Sequence, residues 1–121
     1  MEGIEYHLTI PGRPVPKGRP RMSKYGHAYT PKTTREYEDK IKAHCMDLVD
    51  EPIDTTVEVV MRFYIAGKAK PDIDNLIKSV LDGLQPHLIT NDNLVQKVNA
   101  SRIYTQFKEV QRVEVIIRGI A

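Results

Sequence analysis

The sequence predicts a small α/β (α+β) fold, a mixed β-sheet with two main helices in a single domain over residues 1–121. Three observations lead there. Val57, Val59, Met61, Phe63 and Ile65 alternate with Glu58, Arg62 and Tyr64, the period of two that marks a strand with one buried face. Leu76, Ile77, Val80, Leu81 and Leu84 follow at helical spacing and form one apolar arc. A length of 121 residues suits one domain, and no stretch has the composition of an inter-domain linker.

Each element has its own signal. Residues 4–10 alternate well enough for a strand, which Pro11, Gly12, Pro14 and Pro16 then end. A basic segment follows at residues 17–30, where Gly26 separates two short extended runs, 19–23 and 28–30, predicting a basic hairpin or loose loop. Thr33 and Glu36 have capping-box spacing, and Tyr37, Ile41, Cys45 and Leu48 carry the first helix to about Asp50, before Pro52. The strand containing Val57 and Ile65 has the strongest signal and belongs at the centre of the sheet. The second helix should start near Asp74 or Asn75 and run to about Gln85, since Pro86 stops it. Residues 95–107 and 112–120 predict two last strands, paired as a hairpin through a turn at 108–111.

Composition narrows the function classes. Forty per cent hydrophobic and 28% charged residues describe an ordinary soluble protein, and a net charge of +2 identifies no partner. The distribution of charge says more. Arg13, Lys17, Arg19, Arg21, Lys24, Lys32 and Arg35 occur with no acid among them, which points to a phosphate-bearing partner. Cys45 is alone, so neither an internal disulfide nor a thiolate zinc site is available, and a reducing compartment fits best. No apolar run reaches the roughly 18 residues of a membrane span, and the opening residues lack the positive charge of a signal peptide. The expectation is a cytoplasmic protein without a membrane partner.

The chemistry concentrates in residues 70–84. In an extended segment Asp72 and Asp74 face the same side, two hard oxygen ligands suited to Mg²⁺, which completes its octahedron with water and substrate phosphate. Asp74, Lys78 and Asp82, at i, i+4 and i+8, share one helical stripe beside the apolar arc. Lys78 is thereby placed to hold a scissile phosphate or its transition-state charge. Asp92, in the loop after the helix, could fold back to complete the metal site. Each residue also has a plainer use: Asp74 as a helix cap, Lys78 with Asp82 as a surface pair, Asp92 in a turn. Lys17, Arg19, Arg21 and Lys24 are the candidate phosphate contacts, and Tyr25 and Tyr29 among them could stack on bases or pack under the hairpin. The four histidines have no metal-ligand spacing.

The order Asp72, Asp74, Asn75, Leu76, Lys78, Asp82, Gly83, Leu84, then Asn91 and Asp92, resembles the RusA family of Holliday-junction resolvases. Pro16 to Arg21 and Ala28 to Lys32 resemble the N-terminal pattern of its phage and prophage branch. The resemblance implies metal ligands at Asp72, Asp74 and Asp92, a catalytic lysine at Lys78, and supporting roles for Asn75 and Asp82. It also implies a homodimer that uses Mg²⁺ to nick four-way DNA junctions symmetrically in recombination and repair, leaving 5′-phosphate and 3′-hydroxyl ends. A non-catalytic DNA-binding or scaffold protein is the alternative, but free acids beside a polyanion site would repel phosphate unless a cation stood between them. A nucleotide-sugar transferase would use a similar acid pair, yet the chain is too short for its usual nucleotide-binding fold.

Overall fold

A computed structural model describes residues 3–120 of the chain. The strands β1 (Glu5–Pro11), β2 (Arg21–Met22) and β3 (Ala28–Tyr29) precede helix α1 (Lys32–Met46). Strand β4 (Val57–Ala66), helix α2 (Ile73–Leu84), and strands β5 (Val95–Thr105) and β6 (Arg112–Gly119) follow. Four strands form one sheet in the order β1-β6-β4-β5, and β2 with β3 forms a separate two-stranded hairpin. The predicted mixed sheet with two main helices is therefore present.

β4 is central because its pattern demands burial. Val57, Val59, Met61, Phe63 and Ile65 are each fully buried, so strands must flank it and helices must cover that face. The cover consists of Tyr37, Ile41 and Cys45 of α1 and Leu76, Val80 and Leu84 of α2. Val113, Val115 and Ile117 of β6 and Leu8 and Ile10 of β1 extend the same core.

The last two strands do not pair as the expected hairpin. β6 runs antiparallel to both β4 and β1, whereas β5 lies parallel to β4 on its other side. Alternation identified both strands but carries no information about their partners. The burial of β4 requires a neighbour on each edge, and the 3-10 turn Lys108–Val110 lies on the connection that crosses from one edge to the other. β4, α2 and β5 thus form a βαβ unit, with α2 returning the chain from the end of β4 to the start of β5.

α1 begins without the expected capping box. Its N-cap is Pro31, with no side-chain capping bond, and Thr33 and Glu36 lie inside the helix. The buried Thr34 is used elsewhere: its hydroxyl oxygen accepts from the Gly18 amide at 2.9 Å, fastening to α1 the basic arm, residues 13–20, that leads into β2. The helix ends at Met46, before the predicted Asp50. α2 starts at Ile73, one residue before the predicted range.

Candidate active site and nucleic-acid interface

Asp72 is the N-cap residue of α2, extended at φ −62° and ψ 130°, and Asp74 lies in the first helical turn. Their backbone is therefore not the continuous extended pair that i, i+2 spacing suggests. Both side chains are exposed. The Asp72 carboxylate makes no capping hydrogen bond, so its oxygens remain available as acceptors. The partial positive charge at a helix N-terminus favours two acids there without spending their lone pairs.

Two contacts fix this helix start. Arg102 of β5 donates from Nη1 to the Pro71 carbonyl at 2.9 Å, immediately before Asp72. The Lys17 amide donates to the Asn75 carbonyl at 2.8 Å, which brings the basic arm against the first turn of α2. Lys78 is exposed one turn beyond Asp74.

Asp92 stands elsewhere. It opens a 3-10 turn, Asp92–Leu94, whose N-cap Asn91 accepts the Asn93 amide on its side chain. The Asp92 amide donates to Gln85 Oε1 at 3.1 Å, and Gln85 Nε2 donates to the Leu81 carbonyl at 2.9 Å. Asp92 is thus tied to the C-terminal end of α2. The 11 residue steps from Asp74 to Gln85 correspond to roughly 16 Å along the helix axis. Among the described residues no three His, Cys, Asp or Glu side chains gather as a metal site. The expectation that Asp92 folds back onto Asp72 and Asp74 is not met within one chain, because the intervening helix holds the two ends apart.

Lys17 also departs from its sequence-based role. Its ammonium lies 2.7 Å from Glu38 Oε2 on α1 and 2.8 Å from Asp82 Oδ2 on α2, with the side chain 27% exposed. Burial pushes the Lys17 pKa down, but hydrogen bonds to Asp82 and Glu38 outweigh it and the net shift is upward. Two carboxylates already balance this cation, so it is not a free phosphate contact. Asp82, expected beside the acidic cluster, serves this clamp instead. Arg13 is similarly engaged, donating from Nη1 to the Ala66 carbonyl and to Gln111 Oε1.

The remaining basic residues are differently placed. Arg19, Arg21 and Lys24 are exposed along the arm and the β2–β3 hairpin, whose register pairs Arg21 with Tyr29. Tyr25, Tyr29 and Met22 are exposed on the same hairpin, at 75%, 47% and 65%. Packing under the hairpin is therefore not the use of Tyr25. Glu38, buried with only 9% of its surface exposed, is a residue that sequence reasoning missed. Its only signal was an acid on the apolar arc of α1, one position after Tyr37.

Fold and site together define a small α+β protein with two acids at a helix start beside a basic arm. The family model described as Endodeoxyribonuclease RusA matches residues 11–118, nearly the whole chain. The chain belongs to the RusA endodeoxyribonuclease family. No curated protein sequence matches it.

Proposed function

We propose that this chain is a Mg²⁺-dependent endonuclease that resolves four-way DNA junctions as a homodimer, in recombination and repair. The observation that carries the reading is the pair Asp72 and Asp74, exposed at the start of α2 in a chain whose family is that of a DNA endonuclease. The donor set fits Mg²⁺, which takes one or two carboxylates and draws its other oxygens from water and phosphate. When bound there, the ion would activate water and neutralise charge on the phosphate.

This chain's own residues supply the rest. Arg102 and the Lys17 amide hold the helix start still. Lys78, one turn along, directs its ammonium to a phosphate oxygen as negative charge builds. Arg19, Arg21 and Lys24 bind flanking phosphates and set the register of the DNA. Attack by water on phosphorus with the 3′ oxygen leaving gives a 5′-phosphate and a 3′-hydroxyl.

The separation of Asp92 from the other acids supports the dimer. A two-fold pairing that sets the Asp92 end of each copy against the Asp72 end of the other makes two equivalent three-acid sites. Two such sites suit a roughly two-fold junction. The test is to incubate purified protein with end-labelled four-way, three-way and linear DNA, with Mg²⁺ or with chelator. Paired symmetric nicks in the four-way substrate, abolished by chelator, are expected; equal cutting of linear duplex would overturn the junction reading.

A further inference from the structure

We propose that the tip of the β2–β3 hairpin reads the DNA branch point, with Tyr25 stacking on a base that the branch leaves unstacked. The inference rests on the junction-nuclease reading and deepens it by assigning the choice of branched over linear DNA to one side chain.

The tip is built rather than loose. The Ser23 amide donates to the His27 carbonyl at 2.8 Å, and the Ser23 carbonyl accepts from the Gly26 amide at 3.0 Å. The Ser23 hydroxyl oxygen accepts from the Tyr25 and His27 amides at 3.3 and 3.2 Å. Gly26 closes the turn at φ +82°, a conformation that other residues rarely adopt. Four bonds to one serine thus fix the turn, and Tyr25 is 75% exposed on it. A rigid turn that displays an aromatic ring has already met the ordering cost that a flexible loop would meet on binding.

The surroundings select the ligand. Lys24 Nζ lies 5.2 Å from the Tyr25 ring centroid, over one face of the ring. The opposite face is the one a base would cover. Arg19, Arg21, Lys24, Lys32 and Arg35 surround the hairpin in sequence, and no acid occurs between Glu5 and Glu36. Cations around an exposed aromatic ring suit a nucleic acid, whose phosphates meet the charges and whose bases meet the ring.

The geometry of the substrate supplies the specificity. In an intact duplex both faces of an internal base are covered by its neighbours, and a tyrosine on a phosphate-binding arm has nothing to stack on. A junction centre offers base pairs at the ends of arms, whose outer faces are uncovered when stacking across the branch is lost. Tyr25 then adds affinity on branched DNA alone, and does so without regard to sequence, because every base has a π-face.

The test measures dissociation constants of the full chain for a four-way junction and for a linear duplex of equal length, in chelator so that neither is cut. In Tyr25→Ala the ratio of junction to duplex affinity should fall by about tenfold, the size of one base–aromatic stack. Tyr25→Phe should keep the wild-type ratio. An unchanged ratio in Tyr25→Ala, or an equal fall in Tyr25→Phe, overturns the stacking role while leaving the nuclease reading intact. A wild-type protein that binds junction and duplex equally would overturn the junction reading itself, and this inference with it.

Discussion

Among the acids, placement decides what each can do. Asp72 and Asp74 lie at the positive end of α2, whereas Asp82 is held at 2.8 Å by Lys17 and so is occupied. Under the proposed function, Asp72→Asn and Asp74→Asn should each abolish cleavage yet leave junction binding intact or tighter, since each would remove a metal ligand and a negative charge facing DNA. Cleavage at the wild-type rate in either variant would remove that residue from the site. Lys78 acts on phosphate in this scheme, so Lys78→Met should slow single-turnover cleavage by roughly 10² or more with an unchanged Mg²⁺ requirement. A Mg²⁺ titration checks it, because full recovery at high Mg²⁺ would reduce Lys78 to an aid in metal binding. The positions of Asp72, Asp74 and Lys78 about the start of α2 were legible because their spacing is local, although the continuous extended backbone expected at the two acids is not what α2 gives them. Lys17 was not: its neighbours Arg19 and Arg21 look the same in sequence, and only the meeting of α1 with α2 surrounds one of the three with carboxylates.

Packing between the two helices sets where these side chains stand. Gly83 lies where α2 meets α1, and a Cβ built there would come within 2.7 Å of Ile41 Cβ. Gly83→Ala should therefore push the helices apart and cost about 1–3 kcal/mol in urea unfolding, despite the better helix propensity of alanine. The Lys17 clamp belongs to the same interface. Lys17→Met leaves the buried Glu38 carboxylate unpaired, at a cost of about 1–3 kcal/mol, and should leave the salt dependence of DNA binding near wild type. Neutralising Arg19 and Arg21 together should instead flatten that dependence by up to about 2 in log–log slope. Because the folded pKa of Lys17 is raised, its contribution is complete below the unfolded lysine value of about 10.4 and fades as pH rises through the folded value. The wild-type urea midpoint should accordingly fall more steeply than that of Lys17→Met at alkaline pH. β4 and α2 were legible from periodicity, which reports which face is buried. The position of β5 across β4 from β6 was not, because alternation is blind to partners.

At the level of the whole molecule, the length of α2 is the constraint that matters most. The apolar arc from Leu76 to Leu84 already marked a helix after Asp74, and 1.5 Å per residue makes the axial rise from Asp74 to Gln85 roughly 16 Å. That the helix stands between the two ends was thus readable once it was recognised, while the way a second copy would bring the acids together depends on a surface that no local pattern encodes. If the chain pairs as proposed and the acids meet across that dimer, mutants in different acids should complement one another. Consider Asp72→Asn mixed with Asp92→Asn after both are unfolded and refolded together. In the mixed dimer one site carries both substitutions, and the other pairs an intact Asp72 with an intact Asp92. Equal mixing makes about half of the dimers mixed, with one working site of two, so nicking should return to about a quarter of the wild-type level. The products should be singly nicked junctions, because resolution needs both sites of one dimer. If all three acids belonged to one chain, every subunit in the mixture would carry a lesion and no activity would return. Mixing Asp72→Asn with Asp74→Asn is the control: both substitutions fall at the same helix start, each site in the mixed dimer keeps one defect, and nicking should stay absent. Activity in the first mixture and none in the second would establish the shared site; silence in both, with each single mutant folded and dimeric, would rule it out.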